Sequence, residues 1–148
     1  MPARHFTKTM TPRKKTILLV DDEVNERKRM RNVLEGAGYQ VIESGDFAGA
    51  SATFQRRRDE ICMLLIDVSL PGNNGCELAK MSLSLNPGVK VLLISGLTGA
   101  EVCRFYGIPA TDLHFLEKPF RGVDLLARVK YVFESSEPLA GSASGALL

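Results

Sequence analysis

Apolar and polar positions along this chain alternate between two rhythms. Five short apolar runs, rich in β-branched residues, are each followed by a stretch with helical spacing. The runs are Thr16 to Val20 (TILLV), Tyr39 to Glu43 (YQVIE), Ile61 to Val68 (ICMLLIDV), Val89 to Ile94 (VKVLLI) and Leu113 to Glu117 (LHFLE). They are too short for stable helices and are bounded by turn residues, so they read as buried strands. Between them, Val24 to Gly36 places Met30, Val33, Leu34 and Ala37 on one face, and Ser44 to Arg58 does so with Phe47, Ala50 and Phe54. Cys76 to Leu85 turns Leu78, Met81 and Leu85 inward, and Val123 to Phe133 turns Leu125, Leu126, Val129 and Val132 inward. Thr98, with Glu101 three residues on, has the form of a capping box. It predicts a helix through about Tyr106 that buries Val102, Phe105 and Tyr106. Arg27, Lys28, Arg29 and Arg31 read as the wet side of the first helix. Arg56, Arg57 and Arg58 suit the negative end of the second. The pair Asn74-Gly75 is also a hairpin signal, but no alternating strand follows it.

Strict strand-helix alternation with apolar strands implies a parallel sheet covered on both faces. Five strands favour the α/β flavodoxin-like, doubly wound order 2-1-3-4-5. The expected organisation is a single domain over 16–134, preceded by a flexible basic arm (1–15) and followed by a Ser/Gly/Ala-rich tail (135–148) without enough apolar surface to fold. Charge sharpens this division. The net of +2 is uneven: Arg4, Lys8, Arg13, Lys14 and Lys15 precede any acid, which leaves the remainder at −3. The arm has neither interleaved aromatics nor a helical face, so no nucleic-acid contact is expected. No stretch has the apolar length of a membrane span or the apolar region of a secretory signal, and a cytoplasmic location is the expectation. Cys62, Cys76 and Cys103 are widely spaced and lack metal-ligand spacing.

The chemistry concentrates where strands end. Asp67 interrupts the central apolar run just before Pro71 and Gly72; alone, it reads more readily as a cap on the next turn. The first run ends in Asp21 and Asp22, the fourth in Ser95 and the fifth in Lys118. Each has a bland explanation, the acids and the serine as helix caps and the lysine as a loop cation. Parallel strands, however, bring all these ends to one edge of the sheet. Three neighbouring carboxylates there repel by roughly 4 kcal/mol per pair at an effective dielectric of about 20. A divalent ion with oxygen ligands, Mg²⁺ in particular, offsets that repulsion. With an ammonium and a hydroxyl alongside, the pocket suits a phosphoryl group that a carboxylate can capture as an acyl phosphate.

ILLVDDE, LLIDVSLPGNNG, LLISG and FLEKPF together resemble the receiver domain of two-component response regulators, the CheY-like family, over about Lys15 to Glu134. The resemblance implies that Asp67 is the phosphoacceptor, served by a sensor histidine kinase or a histidine phosphotransfer protein. It implies that Asp22, Asp67 and the backbone carbonyl of Ser69 hold Mg²⁺, with Asp21 acting through water. Lys118 and Ser95 would bind the phosphoryl group, Phe115 would be the switch aromatic, and the bond to Pro119 would be cis. Ser69 and Leu97 lie where the family varies and influences phosphoryl lifetime, and Phe115 lacks the hydroxyl of a tyrosine.

The expected function is therefore a phosphorylation switch rather than an enzyme of general turnover, one that catalyses only its own phosphorylation and dephosphorylation. With only the Ser/Gly/Ala-rich tail after Glu134, no output domain is expected. The expected output is a contact with a downstream protein, a phosphorylation-dependent homodimer included, in a stand-alone regulator or relay intermediate. The competing readings are the receiver portion of a hybrid histidine kinase and a pseudo-receiver that binds partners without phosphorylation. A small-molecule phosphotransferase is disfavoured: there is no second Asp two residues after Asp67 and no phosphate-cradling glycine loop.

Overall fold

The computed structural model describes residues 14–71, 74–107 and 113–135; the expected arm (but for Lys14 and Lys15) and the expected tail (but for Ser135) lie outside them. Among the described residues five strands, β1 (Thr16–Val20), β2 (Gln40–Ser44), β3 (Ile61–Asp67), β4 (Lys90–Ser95) and β5 (His114–Glu117), alternate with five helices. The helices are α1 (Val24–Gly36), α2 (Phe47–Arg57), α3 (Gly75–Leu85), α4 (Gly99–Tyr106) and α5 (Gly122–Glu134). All pairings are parallel, in the order β2-β1-β3-β4-β5 that the alternation predicts.

Neighbouring residues on each strand serve opposite faces, so the sheet carries two cores. One joins Leu18, Leu64, Ile66 and Leu93 to Phe54 of α2, Leu78 of α3 and Val102 of α4. The other joins Ile17, Leu19, Met63, Leu65 and Leu92 to Met30 and Leu34 of α1 and to Leu125, Val129 and Val132 of α5. Covering both faces explains why β1 and β3 are apolar almost throughout.

Helix starts are fixed locally. Glu23, Asp46, Asn74 and Thr98 each accept a bond from the backbone N–H three residues on. The reciprocal Thr98–Glu101 capping box is formed, and Asn74 caps α3 rather than turning a hairpin. Asp46 as a cap starts α2 at Phe47, three residues later than periodicity alone suggests.

Three inward assignments differ from expectation. Phe105 is 69% exposed, because the buried face of α4 runs through Val102 toward Cys103 and Tyr106, and Phe105 falls on the other side of Val102, about 100° from Tyr106. Leu85 is 38% exposed at the last residue of α3, where Cys76, Ala79 and Ser82 face inward instead. Ala37 is exposed because it caps α1. Among the described residues no helix is long and apolar enough to cross a membrane.

Candidate functional site at the carboxyl edge of the sheet

Because the strands run in one direction, the residues following β1, β3, β4 and β5 collect at one edge. Oxygens of Asp21, Asp22 and Asp67 lie within 4.8 Å of one another. At that separation and an effective dielectric of about 20, each like-charged pair costs about 3 kcal/mol or more. Lys118 answers part of this charge, its Nζ lying 3.1 Å from Asp67 Oδ2. The other Asp67 oxygen, Oδ1, accepts a bond of 2.9 Å from the backbone N–H of Ser69. Asp67 is only 5% exposed, so both of its oxygens are held in a small cleft.

Asp21 is fully buried, and its environment is the less satisfied of the two. Oδ1 accepts from the N–H of Glu23 at 2.9 Å, whereas Oδ2 has no hydrogen-bond partner among the described residues. Burial, reinforced by the negative charges of Asp67 and Asp22, pushes its carboxyl up to about 6; the Glu23 N–H and the Lys118 ammonium oppose the shift. For Lys118, burial pulls downward, but the charge and hydrogen bond of Asp67 carry its ammonium above the usual range. An orphaned buried carboxylate oxygen beside two further carboxylates is the environment a hard divalent cation satisfies, and the donor set of oxygens fits Mg²⁺.

The remaining residues are placed as follows. Ser95 is buried, and its Oγ accepts from the Leu97 N–H at 2.9 Å while its carbonyl accepts from the Lys118 N–H at 2.8 Å. The Lys118–Pro119 bond is cis. Phe115 is half-buried on β5 and packs against Gly99 at the start of α4. Beside the acids a cleft of about 260 Å³ is lined by Glu23, Glu26, Arg29, Lys118, Pro119 and Phe120. A larger concavity of about 660 Å³, lined by Lys14, Lys15, Asp59, Glu60 and Cys62 among others, lies by the strands' opposite ends and gathers no comparable set of groups.

Two supports of the site escaped sequence reasoning. Arg27 is no solvated surface cation: its side chain is 17% exposed, donates to the Asp21 carbonyl at 2.6 Å and pairs with Glu43 at 2.8 Å. Helical periodicity puts it on the polar side of α1, and only knowledge that β2 lies beside β1 reveals its partner. Gly75 is the other. A Cβ there would sit 2.5 Å from the Asp67 carbonyl oxygen and 2.7 Å from Ile66 Cγ2, so glycine lets α3 begin directly against the end of β3.

This fold, with three acids and a lysine at its carboxyl edge, defines the CheY-like class of parallel α/β proteins. Residues 17–130 match the family described as the response regulator receiver domain, and the chain belongs to that family. It is 31% identical over 116 residues to the response regulator receiver protein CpdR of Brucella abortus, matching 78% of this chain and 94% of CpdR. It is 32% identical over 126 residues to the phosphate regulon transcriptional regulatory protein PhoB of Pseudomonas aeruginosa. That match takes in 84% of this chain but spans only about half (54%) of PhoB. A CheY-like receiver domain from Methanospirillum hungatei superposes with a TM-score of 0.71 at 27% identity, covering 80% of this chain and 93% of that one.

Proposed function

We propose that this domain, residues 16–134, is a phosphoaccepting switch in which Asp67 takes a phosphoryl group from a phosphohistidine on a histidine kinase or phosphotransfer protein. The observation that carries the reading is the pairing of a 5%-exposed Asp67 with Lys118 at 3.1 Å inside a cluster of three carboxylates. In the transfer, a carboxylate oxygen of Asp67 attacks phosphorus, the bond from phosphorus to the imidazole nitrogen breaks, and that nitrogen leaves with the electron pair. Lys118, already at the carboxylate, moves onto a phosphoryl oxygen as charge shifts to it. The N–H of Ser69 orients the acceptor.

Receiver domains generally bind Mg²⁺ at an acidic pocket. Here Asp22, Asp67 and the Ser69 carbonyl would hold it directly and Asp21 through water. When bound, the ion neutralises the clustered carboxylates and the incoming phosphoryl oxygens. Ser95, whose hydroxyl rests against its own loop, then turns toward the phosphoryl group, and Phe115 follows. The population of the α4 and β5 surface shifts with them and changes what that surface binds, a downstream protein or a second copy of the domain.

Incubation of the full chain with acetyl phosphate and Mg²⁺, read by intact mass, tests the reading. One added phosphoryl on the parent and none on Asp67→Asn is expected. Equal labelling of both proteins, or of neither, overturns it.

A further inference from the structure

The contact between β5 and α4 leaves very little freedom. A Cβ built on Gly99 would lie 2.9 Å from Cδ2 and 3.1 Å from Cγ of Phe115. These are not the mobile tip of a side chain. Cγ is one bond from the Phe115 Cβ, so moving it means changing the side-chain torsion or the backbone.

The backbone is held on both sides. Gly99 is the first residue of α4 and lies within a complete capping box: Glu101 N–H donates to Thr98 Oγ1 at 3.1 Å, and Thr98 N–H donates to Glu101 Oε1 at 2.9 Å. Phe115 is paired in register with Leu93, and its carbonyl accepts a bond from the Arg128 guanidinium on α5. With both main chains pinned, the orientation of the aromatic ring is the soft coordinate.

We propose that Gly99 is a positioning residue: its missing side chain is the seat that keeps the Phe115 ring against the start of α4 in the resting protein. Any side chain at this position expels the ring and thereby shifts the balance between its two orientations. The consequence for signalling rests on the reading of Phe115 as the switch aromatic, whereas the seat itself is a property of the unphosphorylated fold.

A double-mutant cycle with a spectroscopic reporter separates the two. Alanine at a first helical position is ordinarily favoured over glycine. If no seat exists, Gly99→Ala raises the melting temperature by the same small amount in the parent and in a Phe115→Ala background. If the seat exists, Gly99→Ala lowers the melting temperature of the parent by about 3 °C or more and raises it by about 1 °C or more once Phe115 is truncated. A para-fluorophenylalanine placed at 115 in the full chain reports the ring directly. Its ¹⁹F resonance should move in Gly99→Ala without phosphodonor, and the further change on adding acetyl phosphate and Mg²⁺ should be smaller than in the parent. Equal melting shifts in both backgrounds, an unmoved resonance, or an undiminished donor-induced change each overturns the proposal. Failure of the parent to take up phosphate at all overturns the switch reading, and the cycle still decides the seat.

Discussion

Replacing Asp21 by asparagine keeps the shape of a buried side chain and removes its charge. The carboxyl stands at about 6 against an ordinary 3.8, mainly because burial penalises the ionised form. A rise of about two units corresponds to about 3 kcal/mol, at roughly 1.4 kcal/mol per unit. That figure is a ceiling, since an amide gains only part of it while Asp67 and Asp22 still repel one another. The sign follows from linkage. A folded-state value above the unfolded one means the folded protein holds this proton more tightly, so stability from this group is complete below about 3.8 and is lost as pH rises through about 6. Without divalent cations, Asp21→Asn should therefore be more stable than the parent by about 1–3 kcal/mol near neutral pH, and the gap should close toward about pH 4. Added Mg²⁺ should narrow the gap from the other side, because it stabilises the parent more than the variant. Urea denaturation of both proteins, in chelator and in Mg²⁺, at acid and neutral pH, measures each quantity. The parent-variant difference cancels carboxylates outside this cluster, including Glu43, whose guanidinium partners Arg27 and Arg31 hold it below its usual range and so act in the opposite direction. A variant less stable than the parent in chelator at neutral pH would refute the argument that Asp21 is an uncompensated buried charge.

The other supports of the site lead to further expectations. Gly75→Ala introduces a methyl that overlaps the Asp67 carbonyl and Ile66, and should cost about 1–3 kcal/mol in urea melts; a neutral or stabilising effect would show that α3 can move freely. Lys118→Ala removes the ammonium at Asp67 and should abolish the phosphoryl-induced spectral change while leaving slow labelling by acetyl phosphate, as followed by intact mass and two-dimensional NMR. Arg27→Gln withdraws the donor from the Asp21 carbonyl and from Glu43 and should weaken Mg²⁺ binding several-fold by calorimetry. An unchanged affinity would reduce Arg27 to a purely structural tie.

What could be read without coordinates depended on whether the information was local. Strand and helix identity, the order of the sheet and the Thr98–Glu101 cap follow from short-range patterns, and the structure reproduces them within a few residues at each boundary. Asp21, Asp22, Asp67, Ser95 and Lys118 were nameable because parallel strands send their ends the same way. Arg27 was misread because its partners, the Asp21 carbonyl and Glu43, come from other elements, and a helical wheel contains neither. Phe105 was misread because a two-turn pattern with aromatics on two sides does not say which side meets the sheet. The Gly99–Phe115 contact is decided by differences of a few tenths of an ångström, which no periodicity encodes.

The ammonium that faces Asp67 arrives 51 residues later in the chain. On a ribosome, the acids of the first and third strands emerge well before their counter-charge, and until the fifth strand docks they have only solvent and dissolved cations to balance them. The charge balance of this pocket is thus completed late, when β5 docks and brings Lys118 to Asp67. A nascent chain that has not yet emerged past residue 118 would leave these acids uncompensated however well its earlier strands had paired.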